Sequence, residues 1–329
     1  MNIGFFVRHF TERGTEVAIY DYAKYNELIL KNKSFIICFS EQKQKQINFP
    51  TVRHSYNKFK SLFEIIEIND ISEMSFIIQK YNLSFFYTLT HGCNDVYQFN
   101  NKNIWRTCKT IKHCVFDTTC PDSSDYHISI SEKLNHKFNT TLDVIPHIVQ
   151  LPDSNENLRS ELNIPIDSFV FGRYGGITEF NINYVHKTII DHLNNNNNDY
   201  FLFMNTNIFY NHPRIIYLNV SLDEIYKTKF INTCDAMIHA RDIGETFGLS
   251  VAEFSSKNKP VITCNIGDIE HIHILGDKCI VYNSRFELSN ILSNIKHITN
   301  TKNDWNAYMN YSPINIMNMF DKIFTSYKN

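Results

Sequence analysis

Short apolar runs alternate with longer amphipathic stretches along the chain. This alternation is typical of strands joined by helices, and it predicts parallel sheets built from βα units. In the first half, the apolar runs predict strands at residues 3–7, 34–39, 85–89, 113–116, 127–131 and 143–146. Helices are predicted between them at residues 15–30, 71–81 and 132–138. The first half therefore has the pattern of a doubly wound domain.

The pattern is interrupted by a polar stretch and then begins again. Residues 150–163 include Pro152, Asp153, Ser154 and Asn155 in succession, which is typical of a boundary between domains. Strands are predicted again at 169–172, 200–205 and 215–218, with helices near 182–193 and at 222–232. A chain of 329 residues also exceeds what one core usually serves. We expect two α/β domains, residues 1–150 and 151–305, followed by a helix in 306–329.

Charge and cysteine content exclude several classes of protein. The formal charge of −2 argues against a nucleic-acid protein with a broad basic face. No run of about 18 apolar residues occurs, and Arg8 and His9 stand where a signal peptide would be apolar, so we expect a soluble cytoplasmic protein. The eight cysteines form no Cys-x-x-Cys pair, which favours buried thiols. A zinc site is an alternative, but its residues fit no common spacing: Cys108, His113, Cys114 and Cys120.

The stretch of most chemical interest is residues 234–262. An apolar run ends in a polar loop, and Glu245 and Glu253 flank Phe247-Gly248-Leu249 before an apolar strand begins near residue 260. Two glutamates at this spacing occur by chance about once in such a chain, so their context carries the argument. A glycine at a helix start lets backbone N–H groups approach a phosphate, and the helix dipole favours negative charge there. A carboxylate within that helix can accept hydrogen bonds from sugar hydroxyls.

This stretch resembles the donor-site signature of retaining GT-B glycosyltransferases of family 4. The resemblance implies a GT-B architecture, in which two Rossmann-like doubly wound domains face a central cleft. It also implies that Glu245 is catalytic and faces the donor sugar, that Glu253 holds the ribose, and that Gly248 and Leu249 offer N–H groups to the pyrophosphate. The implied donor-binding residues of this segment are Thr246, Phe247, Gly248, Leu249 and Glu253. The alternative is a surface αβ unit whose two glutamates are solvated.

Two glycine-containing loops extend the resemblance. Arg173 ends a predicted strand and precedes Gly175, as the family's Gly-Arg strand end does, and its guanidinium can clamp a diphosphate. The family usually has a lysine about five residues later, where this chain has Thr178. Gly14 and Thr15 follow the first strand and are implied to border the donor phosphate. Arg173 as a surface residue and Gly14-Thr15 as an ordinary helix start remain the alternatives.

Three histidines are candidates for the same site. By the resemblance, His113 is near the donor sugar and is predicted to be catalytic, while His91, His239 and Gly175 are possible cleft residues. A lone histidine is more often a hydrogen-bonded structural residue, so that alternative stays open for each.

The resemblance implies transfer of a sugar, with retention, from a nucleotide sugar such as a UDP- or GDP-sugar to a hydroxyl of a glycan or other acceptor. It implies no cofactor and no metal, and it makes the first domain the acceptor side. A noncatalytic GT-B-like module that binds a nucleotide sugar or glycan is the alternative. A Rossmann dehydrogenase is disfavoured, because Gly-x-Gly-x-x-Gly does not follow the first strand.

Apolar residues at helical spacing continue to the end of the chain, at residues 305–312 and 314–327. In the second stretch Met317, Phe320, Ile323 and Phe324 are predicted to face one side, with Ile316 outside that register. By the resemblance, this helix is expected to cross back onto the first domain.

Overall fold

The chain divides into two compact units. The structure, a computed structural model, describes residues 1–49, 51–91, 97–119, 123–196 and 198–326. Unit 1 comprises Met1–Ile148 with Tyr311–Asn329, and unit 2 comprises Val149–Asn310. Each unit carries a parallel sheet with helices, so the fold class is α/β as predicted.

Unit 1 is built on seven parallel strands. Its strands are β1 Asn2–Val7, β2 Lys33–Phe39, β3 Glu64–Ile68, β4 Phe85–Thr90, β5 Lys109–Cys114, β6 Tyr126–Ser129 and β7 Asp143–Val144. Its helices before unit 2 are α1 Gly14–Leu28, α2 Glu41–Gln46, α3 Arg53–Lys60, α4 Met74–Tyr81, α5 Lys102–Trp105 and α6 Glu132–Phe138. The strand order is β3-β2-β1-β4-β5-β6-β7. The order reverses between β1 and β4, and ligands of such sheets bind beyond the carboxyl ends of the strands at this reversal.

Unit 2 repeats this plan. Its strands are β8 Phe169–Tyr174, β9 Asp199–Met204, β10 Ile215–Leu218, β11 Ala236–Ile238, β12 Gly244–Glu245, β13 Val261–Cys264, β14 Asp268–Ile269 and β15 Cys279–Tyr282. Its helices are α7 Asn183–Asn195, α8 Glu224–Thr233, α9 Leu249–Ser256, α10 Glu270–Leu275 and α11 Arg285–Thr299. The main sheet has the order β10-β9-β8-β11-β13-β15, and β12 pairs separately with β14. The reversal therefore lies between β8 and β11.

The core of unit 2 explains why its strands were visible in the sequence. Phe169 and Phe171 of β8 project to the same face as Phe201 and Phe203 of β9, because alternate residues of a strand share a face. Phe171 stacks on Phe201 with ring centroids 4.8 Å apart. The predicted elements between residues 169 and 232 are confirmed to within two residues at each end.

The last helix belongs to unit 1. Helix α12 is Pro313–Thr325, and it packs on α1 and β4 through Phe320, whose ring lies 4.8 Å from that of Tyr22. Phe324 lies 4.9 Å from the ring of Phe85. The prediction that Ile316 lies outside the apolar register was wrong. Ile316 is fully buried, because positions 316, 320 and 324 follow one another at intervals of four on one helical face.

Three other expectations were wrong. The strand predicted at 113–116 is β5, which ends at Cys114; its Thr110 is polar but satisfied, since its N–H and hydroxyl both donate to Asp125. Residues 305–312 form only a 3-10 turn at Met309–Tyr311. Trp305 is buried in this segment, so its apolar side chain anchors a loop and not a helix. No element was predicted between residues 40 and 70, where α2, α3 and the edge strand β3 occur.

Candidate functional site

Arg173 lies at the carboxyl end of β8 and is held from several sides. Its Nη1 donates to Asn205 O at 3.1 Å and to Thr206 Oγ1 at 2.6 Å, and its Nη2 donates to Gly176 O at 2.9 Å. Burial lowers its pKa to about 10, so the guanidinium remains charged at neutral pH. Gly175 O in turn accepts from Asn205 Nδ2 at 2.8 Å. Arg173 therefore ties the loop after β8 to the loop after β9.

Glu245 is fixed by a short pairing of backbone segments. Its strand β12 pairs parallel with β14, so that Gly244 faces Asp268. Gly244 has φ +68°, in the left-handed region that favours glycine. A Cβ at Gly244 would lie 2.1 Å from Asp268 O. The close approach of the two segments, and with it the position of Glu245, depends on glycine at this place.

We expect Gly244→Ala to lower the free energy of unfolding by about 3 kcal/mol, because the new Cβ meets backbone in addition to the left-handed strain. Gly276→Ala is the matched control. Gly276 also has a positive φ, of +56° with ψ −125°, but no heavy atom lies within 4 Å of an added Cβ, so backbone strain alone, about 1 to 2 kcal/mol, is expected. Urea unfolding of both variants measures the difference. Equal losses would show that the contact with Asp268 contributes nothing.

The side chains of Arg241 and His239 contact the Glu245 carboxylate. Arg241 Nη1 lies 2.8 Å from Glu245 Oε2, and Arg241 Nη2 lies 3.0 Å from Glu179 Oε1. His239 Nε2 lies 3.3 Å from Glu245 Oε1. Burial by itself raises the pKa of Glu245, but the hydrogen bond from His239 and the charge of Arg241 outweigh it and leave that pKa below its usual value. The carboxylate is therefore ionised at neutral pH.

The turn after Glu245 leads directly into α9. Gly248 has φ +81° and is the N-cap of this helix, and it has no side chain to bond the N–H groups of the first turn, which begins at Leu249. Phe247 is buried beneath the turn, and its carbonyl accepts from Tyr308 Oη at 3.3 Å. Thr246 is also buried. The arrangement presents the positive end of a helix beside an ionised carboxylate.

Glu253, one turn into α9, has a buried partner on each oxygen. Lys227 Nζ of α8 lies 2.7 Å from Oε1, and Tyr174 Oη donates to Oε2. The side chains of Lys227 and Glu253 are only 11% and 8% exposed. A nearly buried ion pair therefore stands next to the helix start.

The structure brings together the candidates of unit 2. Arg173 is close enough to Glu179 and Glu245 for both charges to raise its pKa against the effect of burial. His239 touches Glu245, and Gly248 follows it in the turn. The loops after β8 and β11, on either side of the strand-order reversal, therefore carry one cluster of charged groups.

The unit 1 candidates at the start of α1 surround a buried acid. Gly14 is exposed and Thr15 is half-buried. Thr15 Oγ1 donates to Glu16 Oε2 at 3.0 Å, and Thr11 Oγ1 donates to the same oxygen at 2.8 Å. Burial raises the pKa of Glu16 above its usual value. The Thr15 hydroxyl is thus directed to Glu16, and its predicted role toward a donor phosphate remains a prediction.

The two candidate histidines of unit 1, His113 and His91, differ in exposure. His113 is fully buried, with Nδ1 2.8 Å from Tyr87 Oη, and burial followed by the charge of His147 holds its pKa well below the usual value. Burial and the bond to Tyr87 fit the alternative of a structural histidine, and the catalytic role of His113 stays a prediction. His91 is exposed, and its ring stacks on Phe116 at 4.7 Å.

Four residues of this cluster were not found from the sequence. Arg241 lies inside the stretch that carried the argument, four positions before Glu245, where its spacing was a usable signal. Lys227 gave no such signal, because it reaches Glu253 from another helix. Thr263 and His271 join His239 in a buried hydrogen-bond chain. Their polarity within apolar or helical stretches was the only indication.

Within the described ranges, no three His, Cys, Asp or Glu side chains are grouped so that they could hold a metal ion. Cys120 of the alternative zinc set lies outside those ranges. No helix in the described part of the chain combines the length and the apolar character needed to cross a membrane.

The sequence matches no family model and no curated protein. Solved structures match over nearly the whole chain. HepE from Anabaena, in complex with UDP-glucose, has a TM-score of 0.71 at 14% identity and covers 99% of this chain and 100% of its own. A glycosyltransferase from Rickettsia africae has a TM-score of 0.66 at 17% identity, with 99% and 97% covered. Sucrose-phosphate synthase from Thermosynechococcus elongatus has a TM-score of 0.64 at 12% identity, with 100% and 98% covered.

The chain has the GT-B fold. The predicted pair of Rossmann-like domains is confirmed by these matches and by the strand order of each sheet. The structural neighbours include glycosyltransferases, and at such low identity the likeness concerns the fold.

Proposed function

We propose that the protein is a retaining glycosyltransferase that moves a sugar from a nucleotide sugar to a hydroxyl of a glycan or other acceptor. One observation in unit 2 carries the proposal. The uncapped start of α9 at Gly248 is flanked by two carboxylates, Glu245 and Glu253, and each has a basic side chain within hydrogen-bond distance. A diphosphate suits the helix start, and carboxylates suit the hydroxyls on either side of it.

Glu253 is the proposed partner of the ribose. A carboxylate accepts from hydroxyl groups, and the pair with Lys227 keeps this one charged and oriented in the free protein. When ribose hydroxyls donate to Glu253, the ammonium of Lys227 is left beside the adjoining diphosphate. Lys227 thereby supplies the second cation that the family pattern would place near Thr178.

Arg173 acts at the diphosphate mainly through its charge and through the loop it holds. Three of its donor contacts go to Asn205, Thr206 and Gly176, and this supports a positioning role more than the bidentate clamp expected from the sequence. The fixed loop directs its backbone toward the leaving group, where negative charge grows as the glycosidic bond breaks.

Glu245 is proposed to face the donor sugar. The bond from the anomeric carbon to the diphosphate oxygen breaks, and a bond to the acceptor oxygen forms on the same face. The acceptor proton passes to the leaving phosphate, so no protein nucleophile is required. The ionised Glu245 favours the positive charge that develops on the sugar in this transition state.

HepE is bound to UDP-glucose and to UDP in its solved structures, and this supports a UDP-sugar as the donor here. A thermal-shift series with UDP, GDP and their nucleotide sugars tests which nucleotide base the donor carries. A ligand at about 100 times its dissociation constant stabilises the folded state by about 2.7 kcal/mol. The stabilising donor is then incubated alone and with glycan acceptors, and the released nucleotide and the anomeric configuration of the product are measured.

Release of nucleotide with a retained anomer supports the proposal. Binding of the donor without hydrolysis or transfer would favour the noncatalytic binding module. An isomerised donor sugar would assign a different reaction to the same fold, and absence of nucleotide binding would reject the proposal altogether.

Transfer is expected to be independent of divalent metal, because Arg173, Lys227 and the α9 N–H groups are proposed to supply the positive charge at the diphosphate. Initial rates with excess EDTA should equal those in untreated protein within about twofold. The control is the same assay after addition of Mg²⁺ or Mn²⁺. Loss of activity in EDTA and its recovery with either ion would contradict this part of the proposal.

A further inference from the structure

A chain of buried polar side chains runs behind Glu245. His239 Nε2 lies 3.3 Å from Glu245 Oε1, and His239 Nδ1 lies 2.9 Å from Thr263 Oγ1. Thr263 Oγ1 lies 2.8 Å from His271 Nε2. Thr263 and His271 are fully buried and His239 nearly so. The reaction described above assigns no role to Thr263 or His271.

Two strand pairings connect this hydrogen-bond chain to the segment that carries Glu245. β11 pairs parallel with β13, so His239 at the end of one strand stands next to Thr263 of the other, and His239 N donates to Ile262 O at 2.8 Å. His271 belongs to α10, which begins directly after β14, and β14 pairs with the strand that holds Glu245. The hydrogen-bond chain thus meets the paired strands β12 and β14 at both ends. His239 contacts Glu245 of β12, and His271 follows β14.

For a neutral His239 ring, the hydrogen-bond chain has a single direction. An ionised carboxylate only accepts, so His239 must carry a proton on Nε2 to bond Glu245. Nδ1 of neutral His239 is then an acceptor, and the single hydroxyl proton of Thr263 is directed to it. The oxygen of Thr263 in turn accepts from His271, which must hold its proton on Nε2.

The far end of the hydrogen-bond chain is the ring of His271, whose Nδ1 is buried. A contact with the backbone of Glu245 raises the pKa of this ring, but burial outweighs it. Burial lowers the pKa of His271 to about 3. His271 therefore stays neutral at physiological pH and carries a single ring proton.

We propose that Thr263 and His271 are positioning residues, which fix the Nε2–H tautomer of His239 and through it the orientation and charge of Glu245. The importance of Glu245 for catalysis rests on the proposed function, whereas the tautomers can be observed without any activity. A hydroxyl between two histidines transmits the choice of tautomer from one ring to the other, because it has only one proton to donate.

The other charges near Glu245 define the expected pH dependence. Arg241 contacts the carboxylate directly, Glu179 binds the other side of Arg241, and the charge of Arg173 reaches the same group. These charges remain when Thr263 is altered, so only the contribution of His239 changes. The oriented N–H lowers the pKa of Glu245. Its loss should raise that pKa and move the acid limb of the kcat profile to higher pH.

Thr263→Val and Thr263→Ser form the matched pair for kinetics. Valine keeps the volume and removes the hydroxyl, whereas serine keeps the hydroxyl. We expect Thr263→Val to lower kcat about tenfold, the scale of one hydrogen bond, with nucleotide affinity changed less than about twofold. Its acid limb should shift to higher pH, and Thr263→Ser should restore both the rate and the profile. Equal profiles for the valine variant and the parent would overturn the proposal.

Nitrogen NMR of histidine-labelled protein tests the tautomers directly and needs no variant. Wild-type His239 and His271 should both carry the proton on Nε2, and an Nδ1–H tautomer in either ring would overturn the proposal. His271→Gln retains a donor near the Nε2 position and should preserve the tautomer of His239, whereas His271→Leu should release it. The expected tautomers in a protein that transfers no sugar would reject the proposed function and leave this inference intact. Sugar transfer together with a different tautomer in either ring would reject this inference and leave the proposed function intact.

Discussion

Replacing Glu245 by glutamine should lower kcat about a hundredfold while the affinity for free nucleoside diphosphate changes less than about twofold. The substitution keeps the shape of the side chain and removes the charge that is proposed to face the developing oxocarbenium. A group that acts mainly in the transition state affects turnover more than ground-state binding. Initial rates with the full donor and calorimetry with the diphosphate measure the two effects separately.

Glu179→Gln is the matched control for this prediction. Glu179 binds the other side of Arg241, 3.0 Å away, and its side chain is more exposed than that of Glu245. The same change of charge at this neighbouring position should reduce kcat less than about fivefold. Comparable losses in the two variants would mean that the ion pair of Arg241, and not the carboxylate facing the sugar, determines the rate.

Lys227→Met should both destabilise the protein and weaken nucleotide binding. It leaves Glu253 buried without its cation, and removal of one partner of a buried pair typically costs about 3 kcal/mol or more. Nucleotide affinity should fall as well, because Lys227 is the proposed second cation at the diphosphate. Urea unfolding and calorimetry with UDP and GDP measure the two effects.

Two further variants separate stability from binding. Lys227→Met combined with Glu253→Gln removes both charges and should regain most of the lost stability while binding stays weak. Lys229→Met, on the same helix, breaks an exposed pair with Glu156 and should leave stability and binding unchanged. Full nucleotide affinity in Lys227→Met would remove Lys227 from the proposed site.

The parts of the fold that were predicted from the sequence are those with apolar runs buried on both faces. Strands such as β8 and β9 are continuous in phenylalanine and other apolar residues, so their positions were visible without knowledge of their partners. In the edge strand β3, exposed glutamates interrupt the isoleucines and leave no such run, and α2 has no apolar face. These elements depend on neighbours that the local sequence does not reveal.

The residues of the candidate site also differ in how far the local sequence reveals them. Glu245, Gly248 and Glu253 lie within nine consecutive residues, so a local pattern was enough to single them out. The ion pair of Glu253 with Lys227 and the links from His239 to Thr263 and His271 join separate elements that only the tertiary structure brings together. His113 shows a different limit, since a polar residue near a strand end can be buried entirely by tertiary packing, which the local sequence does not reveal.

Helix α12 has a consequence for the order of synthesis. It belongs to unit 1 but follows all of unit 2 in the chain, and its Phe320 and Phe324 cover Tyr22 and Phe85. A ribosome therefore produces every residue of unit 2 before the segment that completes the core of unit 1. Until then the nascent unit 1 exposes aromatic side chains that the finished protein hides. We expect this surface to be a binding place for chaperones during translation.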